Sequence, residues 1–138
     1  MLKAKILSQG RTKEQWLLEA LAEYEKRLSA HLHIEWVLTD ALEEACLKEK
    51  HLIALDVQGD LVSSEALSRK LASLWVQAGS RLSFVIGEAE GLSDNILRHA
   101  MWRWSLSRLT FTHQMTRLIL VEQLYRALEI QKGSKYHK

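Results

Sequence analysis

The chain contains no proline and only one cysteine, Cys46. Without proline there are no rigid turn markers, so glycines and capping residues punctuate the chain. A single cysteine excludes an internal disulfide and fits a reducing compartment. No stretch approaches the ~20 apolar residues that a membrane-spanning helix needs. The opening Met1 to Arg11 has too short an apolar run for a signal peptide. A soluble, cytoplasmic protein is expected. Also missing are the dinucleotide G-x-G-x-x-G, the phosphate loop G-x-x-x-x-G-K-[ST] and the G-x-S-x-G nucleophile elbow. No linker, repeat or low-complexity segment interrupts the 138 residues. One domain over 1–138 is expected, long enough to bury roughly two-thirds of its surface without disulfide or metal.

What is present is uneven charge. Net charge is +2, yet residues 1–97 hold 11 Lys/Arg against 15 Asp/Glu, and residues 98–138 hold 8 against 2. The basic end carries Arg98, Arg103, Arg108, Arg117, Arg126, Lys132, Lys135 and Lys138. Such asymmetry points to a polyanion-facing end. A basic, solvated helix face is the other reading, and charge alone does not choose.

Leu2 to Leu7 is short, apolar and bounded by Ser8-Gln9-Gly10, as a first strand would be. Thr12 with Gln15 has capping-box spacing. The helix after it places Trp16, Leu17, Ala20, Leu21, Tyr24 and Leu28 on one face. Ile34 to Leu38 reads as a second strand. Asp40 with Glu43 reads as the cap of a short helix over Ala41 to Lys48. His51 to Val57 is a third strand, closed by a Gln58-Gly59-Asp60 turn. Ser63 or Ser64 caps a helix with Leu67, Leu71, Leu74 and Trp75 inward, stopping near Gly79. Leu82 to Ile86 is an unbroken apolar run, the pattern of a strand buried on both faces. A loop spans Gly87 to Gly91, and Ser93 opens a helix to about Met101. Trp104 to Thr110 holds a short strand or extended loop. A long helix runs from about Gln114 to Gln131, with Met115, Leu118, Ile119, Glu122, Leu124, Tyr125 and Leu128 as core or interface candidates, and Gly133 ends it. Alternating strands and helices predict an α/β fold, a mostly parallel sheet with helices on both faces.

In such sheets ligands bind beyond the carboxyl ends of the strands. Three ends qualify: Leu55 to Gly59, Gly87 to Gly91, and Ser105 to Phe111. Their glycines permit close backbone approach. From spacing alone, a G-x-x-x-G loop reads more often as a plain turn than as a cofactor site. His31-x-His33 lacks a third ligand at a telling distance, so no metal is expected and exposed histidines are the simpler reading. His113, after Thr112, is either a general base or a residue of the helix cap. Cys46 reads as core. Trp16, Trp36, Trp75, Trp102 and Trp104 read mostly as core, although Trp102 and Trp104 beside Arg103 would also suit stacking on a base.

The run Phe84-Val85-Ile86-Gly87-Glu88-Ala89-Glu90-Gly91-Leu92-Ser93 resembles the V-I-G-G-x-x-G-L loop of the RlmH-type ribosomal RNA methyltransferases, in the SPOUT superfamily. Leu106 to Met115 resembles that family's L-S-x-[LM]-T-[FL]-x-H motif. Arg117, Val121 to Ala127, and the terminal Tyr136-His137-Lys138 follow in matching order. Upstream, Ala22 to Leu28 and Leu55 to Gly59 match as well, so the resemblance runs end to end. It departs in two places: Glu88 stands where a second glycine is usual, and the segment between Leu38 and His51 is shorter by what looks like a whole helix.

The resemblance implies a C-terminal trefoil knot and a homodimer. It implies S-adenosyl-L-methionine as methyl donor, and methylation at N3 of a pseudouridine in large-subunit (23S) ribosomal RNA on assembled ribosomes. Carried over, the cofactor contacts are Leu55, Gly87, Leu106, Ser107, Arg108, Leu109, Thr110 and Phe111. Glu122 to Ala127 lie on the helix that helps build the dimer, and the tail Tyr136-His137-Lys138 reaches the partner's active site. His137 and Lys138 are expected to engage the substrate, with His113 a further candidate base. Arg108, Arg117, Lys135, Tyr136, His137 and Lys138 are expected to meet RNA. Two rivals stay open: a non-catalytic RNA- or ribosome-binding module on the same fold, and a flavodoxin-like small-ligand or regulatory domain.

Overall fold

The computed structural model describes residues 1–88 and 90–137. Five strands alternate with five helices: β1 (Leu2–Ser8), α1 (Gln15–Leu28), β2 (Leu32–Leu38), α2 (Leu42–Leu47), β3 (Leu52–Asp60), α3 (Ser64–Gln77), β4 (Arg81–Ile86), α4 (Asp94–His99), β5 (Trp102–Trp104) and α5 (His113–Lys132). The strands form one sheet in the order β2-β1-β4-β3-β5, and every pairing is parallel.

Side chains alternate across a strand, and the core divides accordingly. Ala4, Ile6, Ile53, Leu82, Phe84 and Ile86 face α1, α3 and α5, which contribute Leu17, Leu21, Leu71, Trp75, Leu120 and Leu124 to the larger cluster. Leu7, Leu52, Ala54 and Val85 face the other way, against Leu42, Cys46 and Ile96 of α2 and α4. The run Leu82 to Ile86 is buried throughout, because both faces of β4 are covered.

Two helices, α3 and α4, start at the serines the sequence predicts, and α5 is capped by Thr112 where His113 was the candidate. The hydroxyls of Ser63, Ser93 and Thr112 accept N–H bonds from Ala66, Ile96 and Met115, satisfying donors that have no partner inside a first turn. At the end of α5, Gly133 takes φ +72°. Gly133 N–H reaches Ile130 O and Ser134 N–H reaches Glu129 O, the paired bonds of a Schellman terminus.

Other expectations need correction. Glu14 stands at the cap of α1 with no side-chain cap bond, and Thr12, two residues upstream, accepts from Arg117 instead. Asp40 does not cap α2 either: Ala41 stands at the cap and its N–H goes to Thr39 Oγ1. Gln58-Gly59-Asp60 is not a turn but the continuation of β3. A Cβ on Gly59 would lie 2.6 Å from the Arg103 backbone, so this glycine is what lets β3 and β5 approach. Asp60 then holds β5, accepting from Trp102 Nε1 at 2.8 Å and, through its carbonyl, from Ser105 N–H. The last strand is therefore Trp102–Trp104, and the chain after it is coil. Trp102 and Trp104 are core residues stacked on each other at 5.7 Å. Trp16, expected inward, is 51% exposed.

Candidate active site at the carboxyl ends of the strands

All strands run the same way, so their carboxyl ends share one edge of the molecule. Leu55 and Val57 bring β3 to it, Ile86 and Gly87 bring β4, and the coil after β5 bends across both. Together they line a cleft of about 140 Å³ with Glu88, Gly91, Leu106, Ser107, Leu109, Thr110, Phe111 and Thr116. Seven of the eight expected cofactor residues thus converge on one cleft, though 56 positions of chain separate Leu55 from Phe111. The eighth, Arg108, does not line it, and donates to the carbonyl of Val57, which does.

The local structure explains the convergence. Gly91 takes φ +82° and its N–H returns to Glu88 O at 2.8 Å, closing a tight turn. A Cβ on Gly87 would stand 3.0 Å from both Gly91 C and Leu92 Cδ2, so the turn packs onto a bare backbone. Glu88 is exposed, and its backbone, through the bridge to Gly91, carries the turn. In the coil, Ser107 Oγ accepts from Leu109 N–H and Ser105 Oγ donates to Ser107 O. Serine side chains here replace a ladder, leaving much of the peptide edge of 106–111 to a ligand.

A second, wider cleft of about 700 Å³ opens beside the ends of β1 and β2, lined by Gly10, Arg11, Lys13, Leu38, Thr39, Asp40, His113 and Gln114. His113 stands here, as the first residue of α5, with Thr112 rather than His113 as the cap. The start of α5 projects its unpaired N–H groups and positive dipole end in this direction. Arg11 and Lys13 were not singled out by sequence reasoning. Their place just past the end of the first strand was the available signal.

Arg117 contradicts its expected role at an RNA-facing surface: it is fully buried. Its guanidinium donates to Ser8 Oγ from Nε at 3.2 Å and Nη2 at 3.0 Å, to Thr12 Oγ1 from Nη1 at 2.8 Å, and to Gln9 O from Nη2 at 2.7 Å. Burial pushes its pKa below the ordinary value, and the charges of Glu14 and Glu88 oppose that shift. Arg117 thus pins the loop that carries Arg11 and Lys13.

The tail lies elsewhere. Tyr136 OH donates to Glu122 Oε2 at 2.8 Å, and its ring meets Tyr125 edge-on at 4.7 Å. Arg126 Nη1 lies 2.9 Å from His137 Nδ1, and His137 Nε2 lies 2.8 Å from Glu65 Oε1. An arginine can only donate, so Nδ1 accepts and the ring proton sits on Nε2. This bond holds Glu65 below the usual carboxylate range. Neither Tyr136 nor His137 lines either cleft. Lys135 is exposed, and Lys138 lies outside the described residues. Among the described residues, no three His, Cys, Asp or Glu side chains gather as a metal site. Among the described residues, no helix is long and apolar enough to cross a membrane.

Residues 2–137 match the family model described as a predicted SPOUT methyltransferase. The chain is 53% identical over 141 residues to the Ribosomal RNA large subunit methyltransferase H of Protochlamydia amoebophila, covering all of both chains. It is 37% identical over 162 residues to the protein of that name from Desulfitobacterium hafniense, again with both fully covered. Among solved structures, TrmJ from Z. mobilis superposes with a TM-score of 0.55 at 11% identity, over 92% of this chain and 70% of that one, a likeness of fold.

Proposed function

Because this chain belongs to the SPOUT methyltransferase family, we propose that it transfers a methyl group from S-adenosyl-L-methionine to N3 of a pseudouridine in large-subunit (23S) ribosomal RNA. It acts in the cytoplasm, on assembled ribosomes, as a homodimer. The observation that carries this reading is the convergence of the loops after β3, β4 and β5 on one cleft.

The lining suits the cofactor. Leu55, Ile86, Leu106 and Phe111 offer apolar walls to a ring, and the backbone beside Gly87 offers close polar contact with no Cβ in the way. When bound, the sulfonium supplies an electrophilic methyl. The protein's task is then positioning, which is where most of the acceleration of such a displacement arises. One chain encloses about 140 Å³, below the roughly 300–1,000 Å³ of small-molecule pockets. Leu109 at the rim is 70% exposed. Both observations support a site whose outer wall comes from a second copy. The same holds for His137 and Lys138: with the tail of one chain docked outside its own clefts, their contact with the reacting base is assigned to the partner's site. The packing of Leu106 to Phe111 against the ends of both β3 and β4 supports the trefoil threading.

The N3–H of the target ring must lose its proton before or during attack. His137 and His113 are the residues able to take it, and Lys138 is a cation able to stabilise the developing charge. RNA is held by the exposed cations at the carboxyl edge, with Arg117 withdrawn from that set. Mass spectrometry of ribosomal RNA with and without this gene tests the reading, together with calorimetric titration of the cofactor. The methyl-pseudouridine should disappear with the gene. His137→Ala should abolish methylation while keeping cofactor affinity. An unaltered modification map, or no binding at millimolar cofactor, refutes the proposal.

A further inference from the structure

At the amino-terminal edge of the sheet, remote from both clefts, the face toward α2 and α4 is left open. The register gives three rows across β2, β1 and β4: His33, Lys3 and Arg81; then Glu35, Lys5 and Ser83; then Val37, Leu7 and Val85. Only the third row is apolar, and only it joins the core under α2 and α4. A parallel sheet covered on both faces has apolar residues throughout its central strands. Here β1, the centre of the three, puts lysines into the first two rows. The cause is the β2–β3 connection, whose one helix, α2, is six residues long and shields no more than the upper half of the face.

The uncovered half is a groove of about 490 Å³, walled on one side by Glu49, Lys50 and His51. Its charges do not cancel. Glu49 is satisfied within the groove, by Lys5 Nζ at 3.1 Å and Ser83 Oγ at 2.6 Å. Lys3, Lys50 and Arg81 are exposed and make no ion pair among the described residues. Glu35 is the one carboxylate left to oppose them. No Phe, Tyr or Trp lines the groove, and its rings are the imidazoles of His33 and His51.

We infer that this groove is a second RNA-binding surface, which grips the phosphate backbone of a ribosomal RNA segment other than the one being methylated. The occupant follows from charge complementarity and shape. A row of unpaired cations on an open groove suits a strand passing through. It lacks the converging buried donors of a small-anion pocket. Backbone contacts of this kind anchor and orient without reading sequence. The inference rests on the proposed activity toward ribosomal RNA.

The test uses the full-length protein and ribosomes purified from cells lacking the gene. In Lys3→Gln/Lys50→Gln/Arg81→Gln, three phosphate contacts are lost. The slope of log K against log salt should flatten by about 2, at ~0.7 per contact to single-stranded RNA, and affinity near 0.1 M salt should fall roughly tenfold to hundredfold. Turnover at saturating ribosomes and cofactor affinity should hold. Glu35→Lys should steepen the slope. A control, Lys26→Gln/Arg27→Gln/Arg69→Gln, removes equal charge from α1 and α3 and should change little. Equal slopes for the groove variant and the parent overturn the inference, as does a control that weakens binding as much. If the parent itself fails to methylate ribosomes, the proposed activity falls instead, and the two failures are distinct. Because all three groove side chains are exposed, the variants should fold, which circular dichroism checks.

Discussion

Replacing Arg117 by methionine keeps most of the aliphatic bulk and deletes every donor of the guanidinium. Four contacts disappear, two to Ser8 Oγ and one each to Thr12 Oγ1 and Gln9 O. Ser8 is fully buried, so its hydroxyl has no water to turn to. Gln9 and Thr12 are half-buried, and water repairs part of their loss. Each buried polar group left unpaired costs about 1–3 kcal/mol, and a hydrogen bond to a charged group contributes about 1.5–3 kcal/mol. Removing the buried charge itself returns part of this, since its desolvation is no longer needed. The balance is a destabilisation of about 2–4 kcal/mol. At this chain length that lowers Tm by roughly 8–16 °C. Urea unfolding followed by circular dichroism measures it, and Arg117→Lys should fall between the parent and the methionine variant. A double-mutant cycle with Ser8→Ala should show coupling above about 1 kcal/mol. If the midpoint for Arg117→Met stays within about 0.5 kcal/mol of the parent at an unchanged slope, the guanidinium is not the anchor of the Gln9–Lys13 loop.

Gly87→Ala should weaken cofactor binding more than tenfold in calorimetry while costing only about 1–2 kcal/mol of stability, because its Cβ meets Gly91 at 3.0 Å inside the cleft wall. Cys46 is fully buried, and burial with nearby Glu49 and Glu43 pushes its thiol up to about 12. It should resist alkylation at pH 8 in the native protein and react fully in denaturant. The same shift favours the neutral thiol on folding, so its stabilising effect, present below pH ~9, is lost as pH rises toward 12. The bond from His137 lowers the pKa of Glu65, so this tail contact is present above the ordinary carboxylate range and is lost as pH falls through the depressed value. Histidine NMR signals should report His137 release on acidification, and Glu65→Gln should release it at neutral pH.

Much of this architecture was legible in the chain. The apolar run at Leu82 to Ile86 and the caps at Ser63 and Ser93 act locally, and local signals survive in sequence. The errors share a different origin. Thr12 looked like a cap and became an acceptor for a side chain 105 positions away. Gly59 looked like a turn and became the point where two strands touch. Arg117 looked like a surface cation because a basic helix is usually solvated, and nothing local marks a guanidinium that will be buried. Seven residues that the family resemblance names line one cleft, whereas spacing alone left Gly87 to Gly91 a plain turn. The open sheet face was written in Lys3 and Lys5 but needed the register with Arg81 to become visible.

The order of strands has a consequence for how the protein is made. Of the elements of this fold, β1 is made before the others, yet it lies inside the sheet, with Lys3 beside Arg81 and Ser8 tied to a residue 109 positions later. Parallel pairings across such separations close slowly. The strand β1 therefore leaves the ribosome long before the partner on its far side, and carries one unpaired edge until β4 arrives. Of these elements β5 and α5 come after the rest, and they bring both the Arg117 anchor and the closing wall of the cleft. Completion of the fold and completion of the site are one late event, so partly made chains should have neither.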